Sequence, residues 1–207
     1  MVYNNLFIRS LISSILVLIY FFINIYNFEI IQYLILIIYI IILLEIFLYF
    51  KKYKIYVLFY CLFSLFFLLK INFMNENQIK FNFMIIIIIS FDIFSYITGK
   101  LIGKHKLLPK ISPKKTLEGF IGGFVLSFLA AIAYSTFFNY ELNFKLLLFI
   151  FFMIIGSLIG DIIESYFKRI NELKDSSYYL PGHGGFFDRF DSFIFTIIIY
   201  YFLNNII

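Results

Sequence analysis

Charge is what this sequence has least of. Only 14% of its 207 residues are Asp, Glu, Lys or Arg, against roughly 25% in average soluble domains. A chain with so little polar surface cannot face water on every side, which excludes an ordinary soluble domain. Cysteine is nearly missing too. Cys61 is the sole one, so an internal disulfide and a CxxC-type metal site are both excluded. Set in an apolar run, it reads as a small hydrophobe. Tryptophan is absent. The abundance of Ile, Phe, Tyr, Asn and Lys looks like AT-biased codon usage, a property of a genome rather than of a function. Apolar runs are common in such a chain, so the polar residues inside them carry the information.

What the chain does have is hydrophobic length. Sixty-three per cent of it is hydrophobic and the mean hydropathy is +0.97. A bilayer core of about 30 Å takes about 20 residues of apolar helix. Seven stretches meet or approach that: 10–26, 30–50, 55–70, 81–99, 117–138, 144–167 and 190–207. The period-2 alternation of a membrane barrel is absent, and continuous runs such as Ile35–Leu44 and Met84–Ile89 argue for helix. The expected fold is all-α, a polytopic bundle of about seven spans. The first stretch lacks a small-residue cleavage site and another span follows at once, so it is expected to be retained.

Basic residues orient the bundle. Numbering the loops between spans, the even loops hold Lys51, Lys52 and Lys54; Lys100, Lys104, Lys106, Lys110, Lys114 and Lys115; and Lys168, Arg169, Lys174 and Arg189. The odd loops hold Lys70, Lys80 and Lys145. Arg9 joins the even set. The positive-inside rule therefore places the N-terminus and loops two, four and six in the cytoplasm. The formal net charge of +5 lies on one membrane face, where anionic lipid head groups are attracted. Nucleic acid is a poor partner, because no soluble basic domain exists to bind it.

Charged groups in membrane helices are costly and point to function. In span four, Asp92, Ser95, Tyr96 and Gly99 recur at i, i+3, i+4 and i+7, on one helix face. In span six, Asp161, Glu164, Ser165 and Lys168 repeat that spacing. Both stripes lie at cytoplasmic ends, so a shared polar cavity is expected. The plain alternative is structural pairing, with Glu164 and Lys168 forming an ordinary i,i+4 ion pair. In loop four, Ser112-Pro113-Lys114-Lys115-Thr116 leads into span five. Thr116 is placed to cap that helix, whose free N–H groups would suit an anion. A basic loop without a ligand is the alternative there.

Loop six is the densest region. Residues 161–191 hold six of the twelve acidic residues, namely Asp161, Glu164, Glu172, Asp175, Asp188 and Asp191. Gly182, Gly184 and Gly185 give a backbone able to fold around an oxyanion. Asp188 and Asp191 stand one turn apart near the start of span seven. A Mg²⁺ ion wants few carboxylates plus phosphate oxygens, which Asp161 and Asp188 could provide, with Asp191 supporting those ligands or holding a second cation. His183 reads as a ligand, a base or simply a loop donor. Neither a Walker-type loop nor a Ser/His/Asp hydrolase arrangement is present.

The stretch from Ser165 through Lys168-Arg169, Lys174-Asp175, Ser177, Leu180-Pro181, His183-Gly184-Gly185-Phe186 and Asp188-Arg189-Phe190-Asp191 resembles the motif of the phosphatidate cytidylyltransferase family. Ser112-Pro113-Lys114-Lys115-Thr116-x-Glu118-Gly119 and Asp92-x-x-Ser95-Tyr96-x-x-Gly99 resemble that family's upstream motifs, in order. Members usually carry more hydrophobic sequence before the Asp92 region. The resemblance implies a membrane enzyme that transfers CMP from CTP to phosphatidic acid. It implies Asp161 and Asp188 on Mg²⁺, and Lys168, Arg169, Lys174 and Arg189 on triphosphate or phosphatidate. Ser112, Lys114, Lys115 and Thr116 would form another phosphate wall, with His183, Gly184 and Gly185 near substrate and Asp92, Ser95 and Tyr96 supporting the cavity. Residues 1–80 would then be N-terminal membrane helices and 81–207 the catalytic region with its cytoplasmic loops. The expected location is a bacterial-type inner membrane with the site on the cytoplasmic side, and a homodimer is compatible with it. Competing readings are a CTP-dependent polyprenol kinase, another lipid cytidylyltransferase and an anion transporter.

Overall fold

The computed structural model describes residues 14–204, apart from 16, 75–76 and 181–183. His183 lies outside the described residues. Among them, helices stand in all seven expected places: α1 (Val17–Tyr26), then α2 (Ile30–Tyr49), α3 (Lys54–Lys70), α4 (Gln78–Ile102), α5 (Leu117–Phe137), α6 (Phe144–Ile170) and α7 (Phe187–Leu203). Four of them, α2, α4, α5 and α6, are long and apolar enough to cross a membrane. The others are shorter; α3 and α7 have 17 residues each, about 25 Å at 1.5 Å per residue. Large side chains such as Ile55, Leu101 and Phe144 point outward, each more than 70% exposed, as a lipid-facing surface requires. This is a multi-pass membrane protein of nearly all-α architecture.

The exception to helix is a small hairpin in loop four. β1 (Lys106–Leu108) pairs antiparallel with β2 (Ser112–Thr116), with Lys106 opposite Thr116 and Leu108 opposite Ser112. Pro109 and Lys110 begin the turn between them. The amide of Leu117 donates to His105 O at 2.8 Å, extending the pairing into the first residue of α5. Glu118 completes the closure, since its carboxylate accepts from the Lys104 amide at 3.0 Å and from His105 Nδ1 at 2.6 Å.

The chain forms two compact units. The first joins residues up to Ile79 with Phe167–Phe190; the second joins Lys80–Tyr166 with Asp191–Ile207. The motif-bearing segment Phe167–Phe190 thus groups with the N-terminal helices, and Asp191–Ile207 with the second unit. In the first unit, α2 and α3 share a buried hydrogen bond between Tyr39 Oη and Ser64 Oγ, 2.6 Å apart. Cys61 is fully buried beside them, as its apolar setting predicts. Asn171 pins the connection from α2 to α3, accepting from the Lys51 and Lys52 amides at 2.8 and 2.6 Å. In the exposed Lys52–Glu172 pair nearby, the ammonium holds the Glu172 carboxyl below its usual range.

The second unit is built on close helix crossings and stacked rings. Phe83 of α4 stacks with Tyr134 of α5 and Phe149 of α6 at centroid distances of 5.3 and 5.8 Å. α4 and α5 approach at glycines. A Cβ at Gly123 would lie 2.6 Å from Ser95 Cβ, and one at Gly119 would lie 2.9 Å from Ser95 O. Small residues let two backbones meet this closely, and that approach shapes the cavity described next.

Candidate active site

The second unit contains a cavity of about 310 Å³. The polar stripe of α4 lines it in full: Asp92, Ser95, Tyr96 and Gly99, joined by Lys100. Opposite stand Lys114, Lys115 and Thr116 from β2, Gly119 from α5 and Asp161 from α6. Phe91, Leu107, Phe120 and Leu158 supply apolar wall. Ser112 is in the hairpin but is not among the lining residues.

Local chemistry explains why these groups meet. Thr116 leaves β2 in an extended conformation and caps α5, its hydroxyl accepting from the Gly119 amide at 3.1 Å. That cap was legible in the sequence. It also changes the expected anion-binding entrance, because the Gly119 amide is spent on Thr116 and the Leu117 amide on His105. Positive charge at this entrance therefore comes chiefly from Lys114 and Lys115.

Lys115 reaches across and donates to Asp161 Oδ2. Asp161 Oδ1 accepts from Ser192 Oγ at 2.9 Å. Asp92 and Asp191 both lie within electrostatic reach of Asp161. The donor set is carboxylate oxygen, the ligand type that Mg²⁺ takes. It is not a ready-made shell, for among the described residues no three Asp, Glu, His or Cys groups stand together at metal-binding distances.

The motif residues of the first unit make a second polar cluster. Asp188, in the first turn of α7, accepts at Oδ1 from Lys168 Nζ at 2.7 Å. Its Oδ2 accepts from the Ser176 amide at 2.8 Å, the Ser176 hydroxyl at 3.0 Å and the Gly185 amide at 2.8 Å. Gly184 has φ +84°, a left-handed conformation that suits glycine. Arg169, Lys174 and Arg189 are exposed around this cluster; Arg169 donates to Leu173 O at 3.5 Å.

Sequence reading missed one member of this cluster entirely. Glu45, in α2, is fully buried. It accepts from the amides of Phe186 and Phe187 at 2.8 and 2.9 Å and from Ser177 Oγ at 2.7 Å. The signal was available, because Glu45 is the only charged residue in α2. It also alters the expected oxyanion loop: the amides of Gly185, Phe186 and Phe187 are taken by the protein's own carboxylates.

With this geometry in place, comparison with known proteins gives a consistent result. The chain belongs to the cytidylyltransferase family, whose model matches residues 4–207. A 42-residue stretch is 55% identical to the phosphatidate cytidylyltransferase of Rickettsia bellii, covering 20% of this chain and 18% of that protein. Another 42-residue match, also 55% identical, is to the Bacillus subtilis phosphatidate cytidylyltransferase and covers 20% and 16%. The Staphylococcus aureus phosphatidate cytidylyltransferase is 58% identical over 36 residues, 17% and 14% of the two chains. These matches span less than a fifth of the length of each relative.

Proposed function

We propose that this chain is a phosphatidate cytidylyltransferase, using CTP and phosphatidic acid to make CDP-diacylglycerol and pyrophosphate. A phosphatidate oxygen attacks the α-phosphorus of CTP, the bond from that phosphorus to the bridging oxygen breaks, and pyrophosphate leaves. The nucleophile is already an anion, so no general base is required. The obstacle is mutual repulsion of two polyanions, which calls for positioning and charge neutralisation.

The observation that carries this reading is the cavity in which Lys114 and Lys115 face Asp92 and Asp161. The lysines would hold phosphate oxygens, while Ser95 and Tyr96 offer hydroxyls. The apolar wall of Phe91, Phe120 and Leu158 suits a substrate that carries acyl chains. Asp161 in the second unit and Asp188 in the first are the candidate Mg²⁺ ligands, with Asp191 in support or on a second cation; the ion, when bound, would supply charge neutralisation on the polyphosphate. Lys115 would pass from Asp161 to a substrate phosphate when that position is filled. Lys168, Arg169, Lys174 and Arg189 are the further candidates for binding triphosphate or phosphatidate. The names of the relatives support the choice of phosphatidic acid, their bacterial sources support a bacterial-type inner membrane, and the asymmetry of basic loops supports a cytoplasmic position for these groups.

The test is pyrophosphate release by purified protein given CTP, Mg²⁺ and phosphatidic acid. Release that depends on all three is expected. Release of CDP with a polyprenol, and none of pyrophosphate with phosphatidic acid, would replace this reading with the kinase one.

A further inference from the structure

We infer that Glu45 is a positioning residue for the reaction proposed above, acting as a built-in anion that sets the loop carrying Asp188. The inference rests on that reading for its effect on turnover, but its geometry stands within the first unit alone. Three consecutive amides, of Gly185, Phe186 and Phe187, each end on a carboxylate oxygen, the first on Asp188 and the other two on Glu45. Ser176 touches both acids, its hydroxyl lying 3.0 Å from Asp188 Oδ2 and 3.4 Å from Glu45 Oε2. The position of Asp188, and of Lys168 on its other oxygen, is therefore tied to a side chain 143 residues earlier (188 minus 45).

Chemistry at this site specifies glutamate. Glu45 Oε1 accepts from the Phe186 amide and the Ser177 hydroxyl, and Oε2 accepts from the Phe187 amide. Both oxygens must accept, which a carboxylate does and an amide cannot. Glutamine of equal size would turn an NH₂ toward an N–H or O–H donor. Aspartate would fall one methylene short. The loop is shaped to the same group: a Cβ at Gly185 would run into Ser176 Oγ and lie 2.7 Å from Glu45 Oε2. A buried acid in an apolar helix is costly unless satisfied by donors, and here the donors belong to the motif loop.

The experiment compares full-length wild type with Glu45→Gln and Ser177→Ala in detergent, by hydrogen exchange and by steady-state CMP transfer. Glu45→Gln keeps side-chain volume, so loss of packing is not at issue. Exchange of the 184–188 amides is expected to rise about tenfold or more, with α3 unchanged. The kcat should fall about tenfold or more, with the KM for CTP within about threefold. Ser177→Ala, which removes a single donor, should move both quantities the same way by a smaller factor, and carries the test if Glu45→Gln does not fold. Unchanged exchange at 184–188 would overturn the inference, as would faster exchange with wild-type kcat. A wild type that transfers no CMP would refute the proposed function instead, while the exchange result would still show whether Glu45 holds the loop.

Discussion

Lys115 and Asp161, 46 positions apart in the chain, form an ion pair between β2 and α6. Both side chains are mostly covered, at 27% and 17% exposure, so the pair is less screened than a surface one. An ammonium that neutralises an acid in the resting protein can turn to a phosphate once that acid has a cation. Lys115→Ala is therefore expected to lower kcat/KM for CMP transfer about 10- to 100-fold, the range of a charge-assisted hydrogen bond. Lys115→Arg should retain more activity than alanine. Steady-state kinetics with each variant checks the order.

Asp161 and Asp188 differ in what else they hold. Asp161→Asn and Asp188→Asn should each reduce kcat about 100-fold or more without preventing membrane insertion. Asp188→Asn should in addition lower thermal stability, because its Oδ2 accepts three hydrogen bonds from Ser176 and Gly185, each net about 1 kcal/mol. Thermal inactivation in detergent separates the two variants. Near-normal turnover in Asp161→Asn would remove the metal assignment there, and near-normal turnover in Asp188→Asn would leave that acid a purely loop-holding part.

Gly123 sets the spacing of α4 and α5. A methyl group there meets Ser95 Cβ, Cα and N at 2.6 to 2.9 Å, so backbone must shift. Gly123→Ala is expected to cost about 1–3 kcal/mol and to distort the cavity wall at Ser95. Lower inactivation temperature together with reduced kcat is the predicted outcome, read by the same two assays.

Much of this could be read from residue spacing. The stripe Asp92, Ser95, Tyr96 and Gly99 follows helical periodicity, and all four line the cavity. Thr116 followed by a glycine-rich apolar run announced a helix start. The hairpin at 106–116 was not legible, because its strands are only three and five residues long and the second is mostly charged or polar. Glu45 was passed over for a different reason. Its partners lie more than 130 positions away, and no local period connects an acid in α2 to amides at the start of α7. Glycine abundance in loop six suggested a backbone folded around an oxyanion, whereas the Gly185, Phe186 and Phe187 amides end on the carboxylates of Asp188 and Glu45.

Sidedness is testable because Cys61 is the sole thiol and is buried. Lys110→Cys and Lys145→Cys each add one accessible thiol. An impermeant maleimide applied outside intact cells or spheroplasts should label the Lys145 variant and spare the Lys110 variant until the membrane is opened. The reverse pattern would invert the bundle and place Lys114 and Lys115 away from cytoplasmic CTP.

The central claim is the transfer of a cytidylyl group, and the fate of label from CTP reports on it most directly. With phosphatidic acid and Mg²⁺, label at the α-phosphate should enter the lipid fraction while label at the γ-phosphate leaves in pyrophosphate. Lipid carrying the γ-label and lacking the α-label would mean phosphoryl transfer, and would contradict the account.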